Sequence, residues 1–327
     1  MGRYDDKTVL PAAVQRAWDL GDDRSLIAAL GEVPLPHFHS AARELTWLVS
    51  GLPVAQRATS LRQRLWALFS GRSLHDRSPY PGLFHQSGYV REAALAALKG
   101  PVPNAFLIVA LAYRLNDWVP NVRATATEAL RRTSRYTDPA ILAEALLFLF
   151  LRSRDWSRWG EEKTPLDALL DLPDVAATVA ASMGTTLVGP QAKILRQALR
   201  QPAMDVHLPE LLRRARQPAV RALALRVLAE GRIMWEVGPA VVRQWIDKSM
   251  GRFRFVRRTK ARPVASPFTL PELIGIGAGD KSAQVRLAAA TALSLNFAEV
   301  PEGRALAERL ATDRSRAVRE RAAFLLR

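Results

Sequence analysis

The sequence predicts an all-α protein, a right-handed alpha-alpha superhelix (solenoid) of stacked helix pairs. A motif recurs five times in the 327 residues: Val-Arg, then small or apolar residues at offsets 4, 7 and 8 from the valine. Those offsets fall on one face of a helix with 3.6 residues per turn. The copies are separated by 32, 98, 65 and 33 residues, close to whole multiples of a 33-residue unit, which indicates a repeat array. The five copies begin at Val90, Val122, Val220, Val285 and Val318.

The motif and its surroundings predict the elements in order along a single domain, 1–327. Residues 1–88 are predicted to be divergent helices, near 8–20, 22–31, 40–50 and 54–70, with a long Gly/Ser/Pro-containing loop at 71–88. Residues 89–246 are predicted to be repeats, 247–270 a basic insertion and 271–327 further repeats. Degenerate units near 155, 188 and 252 follow from the spacing alone.

Each Val-Arg helix is preceded by a second apolar helix, predicted at 104–115, 140–151, 208–215 and 301–311. Asp117, Asp280 and Asp313 stand five residues before the valine, where an aspartate can cap the helix or pair with the arginine of its own or the adjacent unit. This Asp-x4-Val-Arg helix in a helix pair resembles the HEAT repeat. The resemblance implies that the Val-Arg helices line an inner, concave surface; it implies a fold and does not fix a function.

Composition narrows the classes of function. There is no cysteine, which excludes disulfides and thiolate chemistry, and no run of about 18 apolar residues that could span a membrane. We therefore expect a cytoplasmic protein without a membrane anchor, metal or cofactor. Lys and Arg number 47 against 31 acidic residues, a net charge of +16, which favours a polyanion partner. Since nearly all the basic residues are Arg, a GC-rich genome is an alternative explanation.

The basic insertion is the sharpest local feature of the sequence. It contains seven basic residues from 248 to 262 without an acid, and two phenylalanines stand between them. Such a segment suits phosphates and unpaired bases, although an acidic protein partner and a solvated loop remain alternatives. The predicted nucleic-acid-binding residues here are Lys248, Arg252, Phe253, Arg254, Phe255, Arg257, Arg258, Lys260 and Arg262.

The repeated arginines are expected to form an internal ladder with the aspartates. Arg91 and Arg221 lack an aspartate before their own valine, because His85 and Ala215 hold that position. We therefore predict that these two arginines are the freer ones and contact phosphate.

These features favour a noncatalytic scaffold that binds DNA or RNA within a larger assembly. A protein partner is expected, with the C-terminal end of the array as one place for it. One alternative is a protein–protein adaptor without nucleic acid. The other is a HEAT-like DNA glycosylase that removes alkylated bases, for which Asp155, Trp156 and Trp159 are the candidate catalytic residues. Trp235 and Trp245 are interpreted as core residues of helices.

Overall fold

The computed structural model describes residues 9–52, 78–152 and 165–327, and most of them are helical. Two strands, β1 (Arg232–Asp247) and β2 (Arg252–Pro263), form a hairpin between two helices. The α-helices are α1 (Val9–Leu20), α2 (Arg24–Gly31), α3 (Phe38–Ser50), α4 (Pro79–Gly82), α5 (Gly88–Ala97), α6 (Ala105–Arg114), α7 (Pro120–Ser134), α8 (Pro139–Arg152), α9 (Pro173–Thr185), α10 (Gln191–Ala198), α11 (Leu208–Arg214), α12 (Pro218–Glu230), α13 (Leu270–Ala278), α14 (Ala283–Leu295), α15 (Gly303–Ala311) and α16 (Arg316–Leu325). Short 3-10 helices cover Leu35–His37, Asp167–Asp171, Pro202–His207 and Phe297–Glu299.

Contacts divide the chain into two compact units, the first ending at Leu169 and the second beginning at Leu170, where the sequence predicted one array. In the first unit α5 packs against α7, α6 against both α7 and α8, and α2 against α6. α6 begins where the Asn104 side chain accepts a hydrogen bond from the amide of Leu107 at 3.0 Å. This helix is almost entirely apolar and buried, since helices pack on several of its sides.

In the second unit the Val-Arg helices α12, α14 and α16 form a series in which each packs against the next, and α10 packs against α12. The helices before them, α11, α13 and α15, pack against their own partners. Prolines begin several helices, as at Pro218 of α12, where the missing amide proton costs nothing. A contact to the next helix and to the next but one is the packing that consecutive helix pairs produce.

The hairpin corrects the predicted organisation between Val220 and Val285. The 65 residues that separate these valines were interpreted as two units, with a degenerate one near 252 and the insertion beginning at 247. In the structure α12 packs directly against α14. The two strands, from Arg232 to Pro263, lie between these helices in the sequence only. The interval is therefore one unit with an inserted β-hairpin, and the all-α prediction is wrong for this segment.

The predicted N-terminal helices near 8–20, 22–31 and 40–50 are confirmed, whereas the predicted loop at 71–88 contains the short helix α4. α1, α2 and α3 fall within two residues of the predicted bounds. The predicted helix at 54–70 and residues 71–77 of the predicted loop lie outside the described residues. The remainder of that loop is ordered: the amide of Ser78 donates to the carbonyl of Ala17, and Tyr80 and Phe84 are buried.

Candidate nucleic-acid interface

The hairpin places most of the predicted binding residues on one antiparallel ribbon. Trp235 pairs with Lys260 near its base, and Trp245 with Phe253 near its tip. A bulge interrupts β1 between Glu236 and Val241, whereas β2 runs without a break. Because side chains alternate between the two faces of a strand, the basic and aromatic residues of β2 separate onto opposite faces.

The tip is closed by a turn that Asp247 organises. Its Oδ1 accepts hydrogen bonds from the amides of Ser249 and Met250, and the hydroxyl of Ser249 also donates to it at 2.6 Å. The Ser249 hydroxyl, followed by these amides, holds the pKa of the Asp247 carboxyl below its ordinary value. Gly251 ends the turn with φ +66°, a conformation that other residues rarely adopt. The turn therefore fixes the register of the two strands.

One face of the hairpin, the aromatic face, consists of Trp245, Phe253 and Phe255 with Arg243 and Arg257. The Phe253 ring meets the rings of Trp245 and Phe255 edge-on, at centroid distances of 5.6 and 5.5 Å. The Arg243 guanidinium lies 4.4 Å from the Phe253 centroid and 5.4 Å from that of Trp245. Phe255 is 63% exposed, and Trp245 and Phe253 are each about 40% exposed. These rings thus stand in solvent beside cations.

The opposite face, the basic face, contains Arg252, Arg254, Arg258 and Lys260, all of them exposed. The Nε of Arg254 donates to the Gln244 side chain across the ribbon at 2.8 Å, which orients its guanidinium. The side chains along this face repeat every second residue, about 7 Å apart. That spacing resembles the separation between successive phosphates of an extended strand.

Arg262 belongs to the anchor of the hairpin and not to its binding surface. Its Nη1 and Nη2 donate to the two carboxylate oxygens of Asp205 at 2.8 and 2.6 Å, and its Nε and Nη2 donate to the carbonyl of Leu199. Its cross-strand partner Ile233 is buried, and the Arg200 guanidinium lies 5.7 Å from the centroid of Trp235. The predicted phosphate contact at Arg262 is therefore corrected: this guanidinium joins the base of the hairpin to the helices.

Arg91, predicted to contact phosphate, is also occupied. Its Nε and Nη2 each donate to one carboxylate oxygen of Asp117 at 2.8 Å, and Arg114 donates to the same carboxylate at 3.1 Å. Burial raises the pKa of Asp117, but hydrogen bonds from Arg91 and the Val119 amide and the charge of Arg114 outweigh it, so that the pKa is lowered. Arg91 is thus a buried structural ion pair.

Arg221 is occupied in the same way, by Asp280 at 2.7 and 2.9 Å. A third pair joins Arg286 to Asp313, so among the described residues the expected ladder between arginines and aspartates is confirmed for three of the five repeat arginines. The prediction that Arg91 and Arg221 are the freer arginines was wrong, because each pairs with the aspartate before the next Val-Arg helix, so that the residue before its own valine does not decide whether it is paired.

The aromatic face includes two residues that the sequence analysis did not assign to the site. Trp245 was interpreted as core, yet it is 42% exposed, and Arg243 was not singled out. The signal was present in the strict alternation of Arg252 to Phe255, which has the period of a strand. A strand there requires a partner strand, and the stretch rich in β-branched residues before Asp247 supplies it.

The candidate glycosylase residues Asp155, Trp156 and Trp159 lie outside the described residues. Within the described ranges, no cluster of three His, Asp or Glu residues could hold a metal ion. None of the helices in the same ranges is long and apolar enough to cross a membrane. Comparison of the chain with models of known protein families found no match, and comparison with curated proteins found none either.

Proposed function

We propose that the chain is a HEAT-like helical-repeat protein that binds nucleic acid, DNA or RNA, through its β-hairpin and catalyses no reaction. The observation that carries the proposal is the hairpin itself, which presents cations on one face and exposed aromatic rings with cations on the other. Packing does not explain the two faces, because in the described part of the chain the hairpin is anchored to the helices at its base, through Ile233 and Arg262, while the side chains of both faces are exposed.

Charge supports a polyanionic ligand. Residues 232–263 contain nine basic and two acidic residues, so this tenth of the chain carries a surplus of seven out of the net +16. A genome-wide preference for arginine would spread the surplus evenly instead of concentrating it on one ribbon. Phosphate contacts made by such side chains release counterions, which gives binding a steep dependence on salt.

The aromatic face supports unpaired bases as part of the ligand. Every base has a π-face, so exposed rings such as Trp245 and Phe255 accept bases without sequence preference. Arg243 lies on the same face, where it can neutralise the phosphates between stacked bases, whereas Arg257 on that face already pairs with the Glu236 carboxylate at 2.9 Å. We accordingly propose single-stranded nucleic acid, or a duplex with unpaired bases, as the preferred ligand.

The helical repeats would then act as the scaffold. Ladder pairs between consecutive Val-Arg helices and contacts between next-but-one helices are consistent with a HEAT-like array. The exposed Phe324 on α16 and Leu295 at the end of α14 suit a protein partner at the C-terminal end, as part of a larger assembly.

The direct test removes the hairpin tip while keeping its anchor. Residues 236–259 are replaced by an Asn-Gly turn that joins Trp235 to Lys260, its register partner. This variant keeps the contacts of Ile233 and Arg262, so it should unfold at the same temperature as the wild-type protein. Fluorescence anisotropy with labelled oligo(dT) and oligo(U) of about 20 nucleotides should show micromolar or tighter binding by the wild type and at least tenfold weaker binding by the variant.

A charge-reversal pair gives a finer measurement. Arg252→Glu with Arg254→Glu should weaken binding and lower the slope of log affinity against log salt by about 1.4, since each phosphate contact on a single strand contributes about 0.7. Arg304→Glu with Arg316→Glu is the matched control, because it changes the net charge equally at exposed helix positions. Equal loss in both double variants would refute a hairpin site. No binding by the wild type at low salt would refute nucleic acid as the ligand and favour the adaptor.

A further inference from the structure

The five repeat arginines share the same two anchoring contacts. In each, Nη1 donates to the backbone carbonyls six and five residues earlier, so the guanidinium closes the turn before its own helix. The other two nitrogens, Nε and Nη2, take no part in these contacts and are called the fork of the arginine below. The anchored arginines are Arg91, Arg123, Arg221, Arg286 and Arg319.

The forks fall into two classes. In Arg91, Arg221 and Arg286 the fork donates to both carboxylate oxygens of the aspartate before the next Val-Arg helix, at 2.5 to 2.9 Å. The forks of Arg123 and Arg319 meet no acceptor among the residues that the structure describes.

Among the described residues, the sequence places no aspartate at the spacing from Arg123 that the pairs of Arg91 and Arg286 show. The filled forks of Arg91 and Arg286 take an aspartate 26 and 27 residues further along the chain. The corresponding positions after Arg123 are Leu149 and Phe150, which are buried in α8 and carry no charge. Arg123 therefore presents an oriented pair of N–H donors, but no aspartate stands at the spacing from it at which Arg91 and Arg286 find theirs.

A large aromatic side chain shares the turn with this fork. Trp118 is 69% exposed, and its carbonyl is one of the two that anchor Arg123. The Arg91 guanidinium lies 5.9 Å from the indole centroid. At Arg319, by contrast, the residue equivalent to Trp118 is Arg314, so the second open fork has no aromatic neighbour on its turn.

We propose that Arg123 and Trp118 form a second nucleic-acid contact, in which the fork holds two oxygens of a phosphodiester and the indole stacks on an adjacent unpaired base. A phosphodiester offers the fork two equivalent oxygens, as the aspartates do in the filled pairs. The exposed indole of Trp118, whose backbone carbonyl Arg123 contacts, offers the kind of aromatic face on which unpaired bases stack. This inference rests on the proposed function, but its residues lie in the first unit, whereas the hairpin lies in the second.

The test uses the full chain and oligo(dT) anisotropy. Trp118→Ala and Arg123→Gln should each weaken binding about tenfold, whereas Trp118→Phe, which keeps a stacking ring, should stay within about twofold of the wild type. Arg319→Gln is the matched control, because it removes the same charge and the same anchoring bonds beside no aromatic residue. It should also stay within about twofold. Thermal unfolding of all four variants separates lost binding from lost folding.

The outcomes distinguish this inference from the function on which it rests. If hairpin variants lose affinity while Trp118→Ala and Arg123→Gln keep it, the second contact is refuted and the hairpin site stands. If Arg319→Gln weakens binding as much as Arg123→Gln, the effect is general charge, which also refutes the site. If the wild type binds no oligonucleotide but captures an acidic peptide through Arg123, both proposals are overturned in favour of a protein ligand.

Discussion

Replacing Asp117 by Asn tests the physical basis of the ladder at its most buried pair. The side chains of Arg91 and Asp117 retain only 4% and 1% of their exposure. Asn keeps Oδ1 for the Val119 amide and the Nη2 of Arg91, so the substitution removes the negative charge and the Oδ2 acceptor of Arg91 Nε and Arg114 Nη1, and it sets an amide N–H against these two cations. A buried guanidinium without a counter-ion is costly, and we expect a loss of about 3–5 kcal/mol in the free energy of unfolding.

The control is Asp280→Asn, at a pair whose side chains are each 14% exposed. Water can solvate Arg221 there after the charge is removed, so the expected loss is smaller, about 1.5–3 kcal/mol. Urea denaturation followed by circular dichroism measures both variants. With an m-value of about 2 kcal/mol/M, Asp117→Asn should shift the midpoint of the transition it affects by about 2 M.

The effect of Asp117→Asn on stability should also depend on pH. Because the pKa of Asp117 is lowered in the folded state from its ordinary value of 3.8, its stabilisation is complete above that value and disappears as the pH falls through the folded pKa. The gap between wild type and Asp117→Asn should therefore be full at pH 7 and shrink below about pH 4. A shift no larger than that of Asp280→Asn, or a gap independent of pH, would refute the assignment of a buried charged pair.

Two further predictions concern packing and the anchor. Gly277→Ala should destabilise the second unit by about 1–3 kcal/mol, since a Cβ there would lie 2.5 Å from Leu225. Gly275→Ala, with open space around it in the same helix, should instead stabilise by about 0.5–1 kcal/mol because alanine is the better helix former, and thermal shifts of the same sign would contradict this. Arg262→Gln should release the base of the hairpin, so that limited proteolysis cleaves it at least several-fold faster than in Arg252→Gln; equal rates would show that the clamp does not hold the ribbon.

The sequence predicted the helices well wherever several signals agreed. α6 was recognisable from its long apolar stretch after the cap residue Asn104, and α12 from the Val-Arg motif that begins at Val220. The ladder was also predictable in kind, but not the unit from which each carboxylate comes. That choice depends on how consecutive helices stack, which is a tertiary property that no local pattern contains.

The hairpin escaped prediction for a different reason. The alternation of charged and aromatic residues is strict only from Arg252 to Phe255, and β1 is interrupted between Glu236 and Val241, so neither strand shows the longer alternation of apolar and polar residues that marks a strand covering a core. The 65-residue spacing from Val220 to Val285 then coincided with two repeat lengths and suggested a degenerate unit. An insertion whose length is close to one repeat is invisible to an argument from period alone.

The sequence spacing of the ion pairs shows that the hairpin is an insertion between α12 and α13. Arg221 reaches its aspartate 59 residues along the chain, whereas Arg286 reaches its own 27 residues along. The difference of 32 residues equals the length of the hairpin from Arg232 to Pro263. The ion pair therefore closes across the insertion with its usual geometry, because the entropy of closing a longer loop grows only slowly with its length. Since α12 and α14 pack against each other across the insertion, helix packing does not determine the composition of the hairpin tip, with its concentrated arginines and exposed rings.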